Sequence, residues 1–142
     1  MESFVRISVV FGIAMIAGWL ILGGGASPED SRDIQVAMNY IGPMRSMVAE
    51  HVLATGRLPD TNDDVGLHAP DSYRSGSITG IHILPGGVIA VRFRKLFGID
   101  GAVLLYRPTR THPARDDLRW DCESNIEDIA DFLPRCRYVP VP

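Results

Sequence analysis

Residues 119–137 read RWDCESNIEDIADFLPRCR, a stretch that holds both cysteines of the 142-residue chain, Cys122 and Cys136, with thirteen residues between them. Trp120 stands two residues before the first, and Phe132-Leu133-Pro134-Arg135 leads into the second. The other end of the chain reads as a membrane anchor or export signal, which puts these thiols on the non-cytoplasmic side, where they oxidise. The expectation is one stapled loop at the tail, and a loop of about 15 residues contributes about 3 kcal/mol in the chain-entropy model. A reactive thiol and a metal pair are the alternatives. Against both, no histidine sits at a ligand spacing and there is no Cys-x-x-Cys.

The export reading rests on residues 7–26, a run of 20 uncharged residues rich in Ile, Val, Leu, Met, Phe and Trp. At about 1.5 Å per residue a helix of that length spans roughly 30 Å, the thickness of a bilayer core. Arg6 and the amino terminus precede it against Glu2, whereas Glu29, Asp30 and Asp33 follow it against Arg32. That bias places the N-terminus in the cytoplasm and the remainder outside. A cleaved secretory signal is the competing reading, because Gly24-Gly25-Ala26 offers the small residues a signal peptidase reads; the apolar run exceeds the length usual for such signals and favours a retained anchor. The expected organisation is an anchor or export segment over 1–26 and one small domain over 27–142.

Beyond the anchor, Ser27-Pro28-Glu29-Asp30 has the form of a helix start. Ile34, Met38, Ile41, Met44 or Arg45, Val48 and Val52 then recur every three or four residues, an amphipathic helix with a bend expected at Gly42-Pro43. Gly56 and Pro59 end it. A polar loop follows to about Arg74. Three runs of β-formers come next, 77–84, 88–93 and 102–106, separated by Pro85-Gly86-Gly87 and Asp100-Gly101, and a short fourth runs from about Leu118 to Cys122. Connections this short make an antiparallel meander of four strands, with the helix covering its apolar face, Ile89, Val91 and Phe93. The fold class is α+β, helix on sheet.

Composition excludes several functions. The net charge is -3, and the only dense basic run, Arg92-Phe93-Arg94-Lys95, is short and lies in a strand, so no stripe for phosphates exists and nucleic acid is not expected as a partner. His51, His68, His82 and His112 are scattered over helix, loop and strand, with no nucleophile arrangement beside them, so neither catalysis nor a small-molecule substrate or cofactor is expected. His82, between Ile81 and Ile83, belongs on the outer face of its strand. Trp120, beside a cysteine at a strand end, reads as core packing.

Taken in order, these pieces resemble a type IV pilin. Met47-Val48-Ala49-Glu50-His51 followed by Gly56-Arg57-Leu58-Pro59 is similar to that family's exit from its first helix, and SITGIHILPGGVIAVRF and GAVLLYRPT to its first three strands. Trp120-Asp121-Cys122 through Leu133-Pro134-Arg135-Cys136 is similar to its closing pattern, and the likeness covers about residues 28–138. The resemblance implies a long N-terminal helix, half in membrane and half on a four-stranded antiparallel sheet, with a C-terminal disulfide loop. It also implies that loop residues form an exposed contact surface. Here Asp121, Glu123, Glu127, Asp128 and Asp131 are the candidates, a solvated acidic face being the plainer reading.

The N-terminus departs from that pattern. The family carries Gly before the first residue of the mature chain and Glu at its fifth position, the Glu pairing with a neighbour's amine. Here Ser3 precedes Phe4, Val10 precedes Phe11, and residues 7–26 hold no acid. An uncharged segment makes a better plain anchor. The expectation is a non-catalytic, pilin-like, single-pass inner-membrane protein with a periplasmic head. Its partners would be pilin subunits or the pilus assembly machinery, and its role minor or accessory. A divergent filament subunit and a secreted or anchored binding module built on a pilin head are the rival readings.

Overall fold

Ser27 starts the first helix: its hydroxyl oxygen accepts the N–H of Asp30 (3.1 Å), supplying the partner that an opening turn otherwise lacks. The computed structural model describes residues 26–112 and 115–140, so most of the expected membrane segment lies outside the described residues. Helix α1 spans Pro28–Thr55, with Glu29 and Asp30 in the first turn, where the helix dipole favours them. It ends at Gly56 (φ 73°), whose N–H donates to the Val52 carbonyl (2.8 Å). The expected weak point, Gly42-Pro43, lies inside the helix, with both residues exposed on its outer side.

The buried stripe of α1 is Asp33, Ala37, Ile41, Met44, Val48 and Val52. The expected stripe holds from Ile41 onward, but in the first half its centre shifts by one residue. Ile34 and Met38 flank the core half-buried, while small Ala37 faces the sheet directly. Asp33 is buried because its carboxylate accepts the N–H of Ser77 (3.0 Å), which satisfies a group that would otherwise be costly to desolvate.

The main sheet has five strands: β1 (Ile78–Leu84), β2 (Val88–Phe93), β5 (Val103–His112), β6 (Arg115–Ser124) and β7 (Cys136–Tyr138), in that order. A small ribbon, β3 (Lys95–Leu96) with β4 (Ile99–Asp100), is inserted between β2 and β5. The four-stranded antiparallel expectation is therefore corrected in two respects. A fifth strand exists, and it pairs parallel to β6. Neighbouring parallel strands cannot be joined by a tight turn and need a crossover, and the cysteine loop is that crossover. With three residues, β7 is too short to leave a periodic signal.

The third and fourth expected strands are also longer than expected, because their far ends are rich in polar residues and Pro108 interrupts the β-forming run. The first hairpin turns where expected, with Gly86 (φ 86°) and Gly87 (φ 74°) both in the left-handed region that side chains resist.

Helix α1 covers one face of the sheet, where Ile81, Ile83, Ile89, Val91, Phe93, Leu104 and Tyr106 form the core. The opposite face is not purely polar: Val88, Ala90 and Leu105 make a second, smaller buried cluster there. The free edge of β1 is closed by the loop before it. Buried Asn62 accepts the N–H of Ile83 (2.6 Å) and donates to the carbonyls of Ile81 (3.0 Å) and His68 (2.9 Å), standing in for a neighbouring strand.

Candidate functional site

Cys122 and Cys136 are paired residues on adjacent strands, joined by a disulfide with Cα atoms 4.4 Å apart and both sulfurs facing the core. This bond fastens the crossover at its root. Ser124, two residues beyond Cys122 on β6 and opposite Tyr138, donates its hydroxyl to the Val103 carbonyl (2.8 Å) and accepts from Ile126 N–H (3.2 Å). Asn125 accepts Val103 N–H (2.9 Å) and donates to Gly101 (3.2 Å). Ile126 and Ile129 are buried, the latter opening a single helical turn, α2 (Ile129–Phe132), and these two side chains tie the loop to the core.

The acidic residues separate into two groups. Glu127, Asp128 and Asp131 are exposed on the loop. Glu123 is not: it is 7% exposed, lying on the outer sheet face between Leu105 and Arg137 in register. Arg137 bonds it at 2.6 Å and Arg107 sits 3.5 Å away, and these guanidinium groups hold its carboxyl below the usual range despite burial. Glu123 is thus an internal ion-pair partner rather than part of the expected contact surface. Asp121 is partly exposed and leans on Arg119 (3.3 Å).

Two hollows flank the loop. One, of about 610 Å³, lies between α1 and the loop; Met38 and Arg45 of α1 wall it, with Tyr106, Trp120, Leu133 and Pro134. Trp120 is half-buried against the core, and the Arg45 guanidinium lies 5.5 Å from its ring centre, a cation over an aromatic face. The Tyr106 hydroxyl donates to Met38 Sδ (3.3 Å), and burial pushes its pKa up. The other hollow, of about 600 Å³, lies at the start of α1 and includes Asp30, Ile99, Glu127, Phe132 and Tyr138. In it Phe97 and Phe132 stack at 4.0 Å, and Ile99, Phe132 and Tyr138 are exposed for apolar residues of their size. Sequence reasoning missed this second patch, because only the ribbon β3/β4 brings Phe97 and Ile99 to the loop.

The histidines are not brought together. His51 lies near the end of α1, four residues before Thr55, His68 packs near Tyr73 in the loop, and His112 is at the far end of β5. His82 is half-buried on the outer face of β1, where burial and then Arg92 lower its pKa. Among the described residues no cluster of His, Cys, Asp and Glu could hold a metal ion.

A helix laid on an antiparallel meander, closed by a disulfide-fastened crossover, defines a pilin head. Residues 34–137 match the family model of pilin, a bacterial filament protein, and the chain belongs to the type IV pilin family. No individual curated protein matches it. It is a pilin-like pilus protein. Among the described residues no helix is long and apolar enough to cross a membrane, and the segment expected to do so lies outside them apart from Ala26.

Proposed function

We propose that this chain is a minor or accessory pilin: non-catalytic, anchored once in the bacterial inner membrane by residues 7–26, with the head over 27–142 in the periplasm. The observation that carries this reading is the contrast between a pilin head over residues 34–137 and a preceding run of 20 residues without a charge. A bulk filament subunit is expected to place a carboxylate within that run to meet a neighbour's amine. An uncharged run gains nothing from a neighbour in this way and is at its lowest free energy surrounded by lipid. Arg6 before it and Glu29, Asp30 and Asp33 after it orient the head outward.

The test is fractionation of the source bacterium, with and without the gene. The reading expects the protein in the inner-membrane fraction, scarce in sheared filaments, and a changed number of pili in the deletion strain. Abundant protein in sheared filaments would make it a bulk subunit, and unaltered pilus number would remove the accessory role.

A further inference from the structure

We infer that the exposed apolar patch at the start of α1 is a lipid-contacting surface, on which the head rests against zwitterionic lipid of the bilayer that holds its own anchor. This contact rests on the anchor proposed above for residues 7–26 and adds a second attachment to the membrane. Position is the first support. The hollow of about 600 Å³ is lined by Ala26 and Ser27 together with Phe97, Phe132 and Tyr138. Ala26 is the last residue of the uncharged run, so the patch lies at the level where the anchored chain leaves the hydrocarbon. From there α1 runs 28 residues, about 40 Å, to the opposite end of the head.

Composition is the second support. Among the described residues four large hydrophobic side chains are exposed, and Ile99, Phe132 and Tyr138 gather in this one hollow, while Leu53 stands alone at the other end of α1. Aromatic rings, above all one with a polar tip such as Tyr138, settle at the boundary between lipid and water. The backbone holds the patch open at a cost. Phe97 has φ 49°, a conformation that bulky residues resist, and its N–H donates to the Asp30 carboxylate (3.1 Å), which keeps its ring stacked 4.0 Å from Phe132. Charge selects the lipid. Asp30, Glu127 and Asp128 border the hollow and no Lys or Arg among the described residues does, so the rim repels anionic head groups and attracts the ammonium of zwitterionic ones. A patch this small binds weakly by itself. Tethering by the adjoining anchor makes the contact intramolecular, at an effective concentration of the order of mM, and a weak contact then suffices.

Photolabelling of the full chain tests it. The protein is placed in nanodiscs, one copy per disc, made of phosphatidylethanolamine and phosphatidylcholine with a trace of the same lipid carrying a diazirine at the top of an acyl chain. After illumination, labelled residues are mapped by mass spectrometry. Labels are expected within residues 7–26 and also at Phe97, Ile99, Phe132 and Tyr138, with none at Leu53, which is more exposed but far from the bilayer. The double variant Ile99→Glu, Tyr138→Glu alters two exposed side chains, and its folding is checked by intact disulfide and far-ultraviolet circular dichroism. It should lower the labels at Phe97 and Phe132 by about fivefold or more while those within 7–26 stay unchanged. Replacing the zwitterionic lipid by phosphatidylglycerol should lower the head labels by about threefold or more. Labels confined to residues 7–26 would overturn the lipid contact and leave the anchor standing, even if the patch becomes covered when several copies share a disc. Head labels that the double variant or the anionic lipid leaves unchanged would overturn it as well. A chain that takes no label within 7–26 would remove the anchor, and the contact with it.

Discussion

Removing the disulfide tests the physical account of the head most sharply. The bond joins positions 14 apart in sequence, and a closed loop of about that length restricts the unfolded chain by about 3 kcal/mol. In the folded head the bonded residues are already neighbours on paired strands, so little native structure should move when the bond is opened. The double variant Cys122→Ser, Cys136→Ser, or the parent under reductant, should therefore lose about 3 kcal/mol while keeping its fold. For a head of this size that corresponds to a fall in melting temperature of about 10–15 °C.

The assay is a urea titration followed by Trp120 fluorescence in a Trp19→Phe background, with the oxidised and reduced chains compared side by side. The slope against urea should change little. Hydrogen exchange should rise in β7 and the loop before it rises in β1 and β2, because β7 is held by one neighbour and the bond. A loss below about 1 kcal/mol, or exchange that rises equally in all strands, would refute the loop-entropy reasoning.

Three further predictions concern single positions. Asn62→Ala removes three hydrogen bonds and leaves Ile81 and Ile83 backbone groups unpaired at the β1 edge, and should cost about 2–3 kcal/mol in the same titration; Asn62→Asp, which cannot donate to the carbonyls, should not rescue it. Two glycines should respond oppositely to alanine. Gly76, in the left-handed region (φ 54°) and pressed against the Asp33 carboxylate, should lose stability, while Gly42, in the helix with open space around it, should gain about 0.5–1 kcal/mol as judged by melting temperature. Glu123 has a folded pKa held below its unfolded value, first by Arg137 and then by Arg107, so its contribution is present above the ordinary carboxylate range and lost as pH falls through the folded value. Arg137→Gln should flatten the acid side of the pH–stability curve, and an unchanged curve would count against the pair.

Much of this head was legible because hydrophobic period and turn chemistry are local signals. The α1 stripe from Ile41 to Val52, the Pro85-Gly86-Gly87 turn and the strands beside it all follow from neighbours within a few residues. What escaped depends on distant partners. Asp33 could not be read as buried, since its burial is made possible by a backbone N–H 44 residues away. Glu123 read as a loop acid because its two arginines come from β5 and β7. Strand β7 is three residues long and is defined by its pairing with β6, Cys136 opposite Cys122, rather than by a periodic signal of its own. The apolar patch of Phe97, Ile99 and Phe132 joins two segments that the sequence leaves far apart.

The intact mass of the protein extracted from inner membranes tests the central claim most directly. An accessory pilin anchored by residues 7–26 should give a mass that still includes residues 1–26, with the disulfide formed. A mass lacking a short leader, found mainly in sheared filaments, would contradict the account and make the chain a processed filament subunit.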